Sequence, residues 1–120
     1  YIQAQKTLDA DYPDGIRYYW KSVYLDELTS QIIEKIHSWG TSRPSELTTL
    51  DIWFMGGKIQ DFSPNHNAFN RRDANFMLGI ESNWIKPKND QENVDWAKNV
   101  HQDIQQYTKG GSYMNFACFE

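Results

Sequence analysis

Cysteine is nearly absent. Cys118 stands alone, which excludes an internal disulfide. That fits a reducing compartment, and a cytoplasmic location is expected. Basic runs are short, none longer than Arg71-Arg72, and the net charge is -4, which argues against a nucleic-acid partner. No apolar stretch approaches the ~18 residues that a membrane span needs, and no signal-peptide pattern is present. The first residue is Tyr1, so the chain is expected to have lost its natural start or to belong to a larger protein. No repeat, low-complexity tract or linker divides residues 1–120, so one domain with its own core is expected.

Aromatic residues are plentiful, at 15% of the chain, and can serve either as core or as the lining of a ligand cleft. Tyr1 to Leu8 reads as a short helix, broken at Pro13 and Asp14-Gly15. Residues 16–25, "IRYYWKSVYL", are aromatic and β-branched. As a strand they put Tyr18, Trp20, Ser22 and Tyr24 on one face and Tyr19, Lys21 and Val23 on the other. A helix follows over 26–40, with Asp26 as its N-cap, an apolar stripe of Leu28, Ile32, Ile36 and Trp39, and Gly40 at its end.

Residues 47–55 alternate, setting Leu50, Ile52 and Phe54 against Asp51, Trp53 and Met55. Residues 75–84 set Phe76, Leu78 and Ile80 against Met77, Gly79 and Glu81. The second long helix covers 89–108, opened by Asn89 with Glu92 in a capping-box-like pair. A last strand is predicted in "GGSYMNFACF".

The order β-α-β-β-α-β predicts an α+β fold of ferredoxin-like plan, an antiparallel sheet with both helices on one face. Right-handed crossovers would put strands one and four at its centre. The opposite face would carry Asp51, Trp53, Met55, Met77, Gly79 and Glu81. Such a face is expected to be covered by a partner domain, an oligomer or a ligand.

His37, His66 and His101 lack ligand spacing, so no metal site is expected. Cys118 has no neighbour that would activate it, and the glycine pairs match no phosphate loop. Glu81 and Asp51 are strand carboxylates: under a cover either would suit a general base, and at an edge either would simply reach water. Arg72 could hold a carboxylate or solvate its loop. Asn115 is either a structural amide or a contact to a polar heterocycle.

Taken together, "YYWKS", the strand ending in "GG", the loop "AFNRRD", the strand ending in Trp84, the helix holding Trp96 and "GGSYMNF" resemble the C-terminal part of berberine-bridge-enzyme-like FAD-linked oxidoreductases. These belong to the vanillyl-alcohol-oxidase-like flavoproteins. The resemblance spans nearly all of residues 1–117 and rests on the order and spacing of its motifs. It implies a substrate-binding domain whose sheet roofs the flavin ring, with FAD held mainly by an FAD-binding domain outside this chain. The implied reaction is two-electron oxidation of a small alcohol, amine or sugar, with oxygen as the usual final acceptor.

By that resemblance Asn115, Tyr113 and Phe116 face the cofactor, and Trp20, Met77 and Gly79 face the substrate. Several positions depart from the family pattern. Arg71 stands at the motif's His, Phe116 at a catalytic Tyr, and Met77 near a strand acid. The base must then be Glu81 or come from the absent domain. The resemblance implies a C-terminal tail as well, which this segment is expected to lack after Glu120. In isolation the segment is expected to be inactive and not to hold FAD, with a dimer as one way to cover its second face. The alternative is a stand-alone ferredoxin-like binding or oligomerisation module.

Overall fold

A computed structural model of the chain describes residues 1–9, 12–63, 69 and 71–117, without the side chains of Gln5, Leu8 and Asp9. Expectations for His66 and Cys118 fall outside these residues. The elements are α1 (Ile2–Asp9), β1 (Arg17–Leu25), α2 (Ser30–Thr41), β2 (Thr49–Phe54), β3 (Phe76–Trp84) and α3 (Asp90–Gln105). The three strands form one antiparallel sheet in the order β1-β3-β2. The α+β class and the antiparallel sheet with packed helices stand as predicted.

The centre of the sheet differs from expectation. It is β3, paired with β1 from Arg17↔Trp84 to Leu25↔Phe76 and with β2 from Thr49↔Glu81 to Phe54↔Phe76. Every residue of β3 after Phe76 is buried. A strand flanked on both edges and covered on both faces buries its polar side chains too, which is why Glu81, Ser82 and Asn83 lie inside.

No fourth strand forms over 112–117. Gly110 and Gly111 adopt φ of 81° and 92°, a left-handed bend open to glycine. The chain then runs extended into a 3-10 turn at Met114–Phe116. Alternation alone cannot make a strand where no ladder is offered. Side chains fasten this segment to β1 instead: the Tyr113 backbone N–H donates to Ser22 Oγ at 2.8 Å, and Ser22 Oγ lies 3.0 Å from Ser112 Oγ.

One face of the sheet carries the main core. Val23, Leu25, Leu78 and Ile80 meet Ile32 of α2 and Ala97, Val100 and Ile104 of α3. Leu50 joins them, but its predicted partners Ile52 and Phe54 are 46% and 70% exposed. They lie on an edge strand, and Phe54 is left to pack on Phe76, ring centroids 5.8 Å apart.

The helix starts are also corrected. Thr29, not Asp26, caps α2, its hydroxyl accepting from the Ile32 N–H at 3.3 Å. Asp26 instead pairs with Lys109 at 2.7 Å. The Asn89 side chain makes no cap bond; the Asn89 backbone carbonyl accepts from the Asn93 side-chain amide. Asp90, in the first turn of α3, accepts from Arg17 and from the Trp84 indole. Asp103 joins the helices by accepting from Lys35 at 2.8 Å and from the Trp39 indole at 2.9 Å.

Candidate functional site

The other face of the sheet bears the chemistry. Alternation along β1 places Trp20, Ser22 and Tyr24 there, and along β3 it places Met77, Gly79 and Glu81. Tyr24, Met55, Ala74 and Met77 make a second, smaller core, with Ile59, Phe69, Tyr113 and Phe116 packed on it.

Phe116 seats itself over Gly79. A Cβ at Gly79 would lie 3.3 Å from the Phe116 ring, 3.4 Å from Glu81 Oε1 and 3.6 Å from the Trp53 indole nitrogen. The missing side chain therefore makes the room that lets this aromatic lid approach the sheet. Phe116 also meets Trp20, Tyr113 and Trp53, with ring centroids 5.6, 5.8 and 6.5 Å away. Within the 3-10 turn Phe116 packs on the second core, while Met114 is 83% exposed.

Glu81 sits at the heart of this face and is 2% exposed. Burial pushes its carboxyl above the ordinary range, and nearby Asp51 adds to the rise. The Tyr12 hydroxyl donates to Glu81 Oε2, which partly offsets that rise. The Tyr12 phenol is itself pushed up, by burial first and then by Glu81 and Asp51. Tyr12 also stands edge-on to Trp20 at 5.6 Å, and the Trp20 indole donates to Asn83 Oδ1 at 2.8 Å. Asn83 Nδ2 donates to the Leu47 carbonyl, which locks the amide in place.

Two cavities open on this face and share Tyr18, Trp20 and Asn115. One, of about 450 Å³, also has walls from Tyr12 to Ile16; the other, of about 580 Å³, runs along Met114, Phe116 and Ala117. Asn115 is exposed at their junction, its amide donating to the Tyr113 hydroxyl at 2.9 Å.

The predicted site residues thus share one side of the sheet but not one role. Trp20, Asn115 and Phe116 border open space. Met77 and Gly79 are covered floor, and Glu81 lies below the surface. Arg72 is buried rather than solvating its loop: it donates to the Ile59 carbonyl at 2.7 Å and stacks on Phe62 and Phe69. Arg71 donates to the Gly110 carbonyl and lies over the Tyr24 ring.

Tyr12 and Asn83 escaped sequence reasoning. Tyr12 lies in a turn 69 positions from Glu81, and no local pattern encodes that contact. Among the described residues no cluster of three side chains could hold a metal, and no helix is long and apolar enough to cross a membrane.

The surface suits a flat aromatic heterocycle better than a phosphate. It offers ring faces and an amide, and both glycine pairs belong to turns rather than to a phosphate cradle before a helix. Trp20, Asn115 and Phe116 are the residues from which a flat ring could be approached, while Tyr113 packs on the second core.

No family model matches the chain. In sequence it is similar to an FAD-linked oxidoreductase of Dictyostelium discoideum, 24% identical over 113 residues, which is 92% of this chain and 25% of that protein. In fold it is similar to part of GilR, an oxidoreductase that catalyses the terminal step of gilvocarcin biosynthesis, solved with pregilvocarcin. The TM-score is 0.74 at 21% identity, covering 88% of this chain and 24% of that one. The chain therefore spans about a quarter of either protein. The sequence likeness supports an FAD-linked oxidoreductase-like domain, and the structural likeness supports its fold.

Proposed function

We propose that this chain is the substrate-binding part of a larger FAD-linked oxidoreductase of berberine bridge enzyme type, acting on a small alcohol, amine or sugar. The observation that carries the proposal is the buried Glu81 carboxyl, with its raised proton affinity, beneath an aromatic cleft. FAD is held mainly by the rest of the parent protein. When bound it supplies the two-electron acceptor, and oxygen is the final acceptor.

This chain's own residues bind, orient and deprotonate. Trp20 and Phe116 offer ring faces to substrate and cofactor. The Asn115 amide supplies a polar contact at the junction of the cavities. Glu81 takes the substrate's hydroxyl or amine proton, and a raised pKa brings a carboxylate base nearer to working pH. Phe116 has no hydroxyl, so it shapes the cleft without serving as a base.

The test is anaerobic mixing of the FAD-loaded parent protein with small alcohols, amines and sugars. Bleaching of the oxidised flavin band by at least one class is expected. Failure of all three to bleach it overturns the reading.

A further inference from the structure

Glu81 is the proton acceptor of the proposed function, yet the cleft does not reach it directly. Its carboxylate is 2% exposed. On the Oε1 side lies the contact zone of Gly79, Phe116 and Trp53. Oε2 accepts from the Tyr12 hydroxyl. Tyr12, in contrast, is 36% exposed and lines the cavity of about 450 Å³ together with Trp20 and Asn115. Tyr12 thus borders the cavity and also touches the buried acid.

We infer that Tyr12 relays the substrate's proton to Glu81. The substrate's O–H or N–H bond breaks as a new O–H bond forms on the Tyr12 phenol oxygen. In the same step Tyr12's original proton moves to Glu81 Oε2. Tyr12 begins and ends neutral and Glu81 ends as the neutral acid; an alcohol or sugar becomes the alkoxide, and an ammonium substrate becomes the neutral amine. Bound flavin would supply the acceptor for the hydride, the C–H hydrogen with its two electrons, that either product could then release to form a C=O or C=N bond.

A relay is required, rather than a free phenolate, because of what surrounds the ring. Glu81 from β3 and Asp51 from β2 both face the phenol, and each disfavours a second negative charge there. The Thr49 hydroxyl reaches it from the same edge strand. Across the cavity, β1 offers only Tyr18 and Trp20, residues 113–117 offer Asn115, and Asp14 lies in Tyr12's own turn. Among these described cavity groups no cation offsets a phenolate, so the proton must leave as another arrives.

The relay rests on the reading of Glu81 as base, and the experiment separates the two. In the FAD-loaded parent protein, Tyr12→Phe and Glu81→Gln are each expected to slow anaerobic flavin reduction about 10²-fold or more. The double variant should be no slower than the worse single one, as for groups acting as a unit. Reduction at the wild-type rate in Tyr12→Phe, with Glu81→Gln slow, overturns the relay and leaves the base. Wild-type reduction in Glu81→Gln overturns the base itself. A second readout needs no turnover. Carboxyl ¹³C titration of the flavin-free protein, with Glu81→Gln assigning the signal, should show a higher Glu81 midpoint in Tyr12→Phe. An unchanged midpoint means that Tyr12 does not hold the carboxylate, and the relay fails. Phenylalanine keeps the ring that packs edge-on against Trp20, so the turn is expected to survive the change.

Discussion

Replacing Glu81 by glutamine is expected to lower the rate of substrate-driven flavin reduction in the parent protein by about 10²–10⁴-fold, the usual worth of a positioned general base. Glutamine keeps the shape and can still accept from Tyr12, so FAD content should be unchanged. The same substitution should stabilise the fold at neutral pH. The Glu81 carboxyl has a higher pKa folded than unfolded, so folding favours its protonated form. Its contribution to stability is complete below the unfolded pKa of ~4.3 and is lost as pH rises through the raised folded value. Thermal unfolding should therefore rank Glu81→Gln above wild type at pH ~7, with the gap closing near pH ~3. A variant less stable at neutral pH, or one with full activity, contradicts the assignment.

Ile80→Ala should cost about 2–5 kcal/mol, the range for emptying a well-packed aliphatic site. Ile80 has no exposed surface and lies at mid-strand in β3, opposite Lys21 on one side and Leu50 on the other. Against a typical total stability of about 5–15 kcal/mol, that loss is large. Its chain neighbours Gly79 and Glu81 project to the opposite face, so the same strand carries core and candidate site. Urea unfolding should show a lower midpoint with an unchanged slope. A loss below about 1 kcal/mol would mean that the site can collapse or that β3 is not central.

These two effects rest on features of unequal legibility. The two faces of the sheet were written in alternation: Val23, Leu78 and Ile80 separate cleanly from Trp20, Gly79 and Glu81. The central place of β3 was signalled by apolar residues on both of its faces, a stronger cue than crossover handedness. The end of the chain was misread because Tyr113 and Asn115 alternate like a strand, while Gly110 and Gly111 redirect the backbone before any ladder can form. The start of α2 moved because Asp26 was claimed by Lys109 and Thr29 was free to cap.

The candidate site was legible where it follows strand parity and illegible where it depends on turns. Periodicity set Glu81 apart from Ile80 and Trp20 apart from Tyr19 within their strands; that Trp20 belongs with the site came from the resemblance. The Tyr12 contact could not be read in this way, because it joins a turn to a strand far along the chain. An outside cover was expected for the second face, but the chain itself covers part of it, since Tyr113 and Phe116 pack over Met77 and Gly79. The cleft bordered by Tyr18, Trp20 and Asn115 stays open, and it is there that the proposed cofactor and substrate belong.

That claim is tested most directly by amide hydrogen exchange on the parent protein with FAD removed and then restored. Restoring FAD should slow exchange in residues 18–24, 76–83 and 112–117, with α2 and the outer turns of α3 little changed. Protection confined to α2 and α3, or no change anywhere within residues 1–117, would contradict the assignment of this sheet face to the flavin.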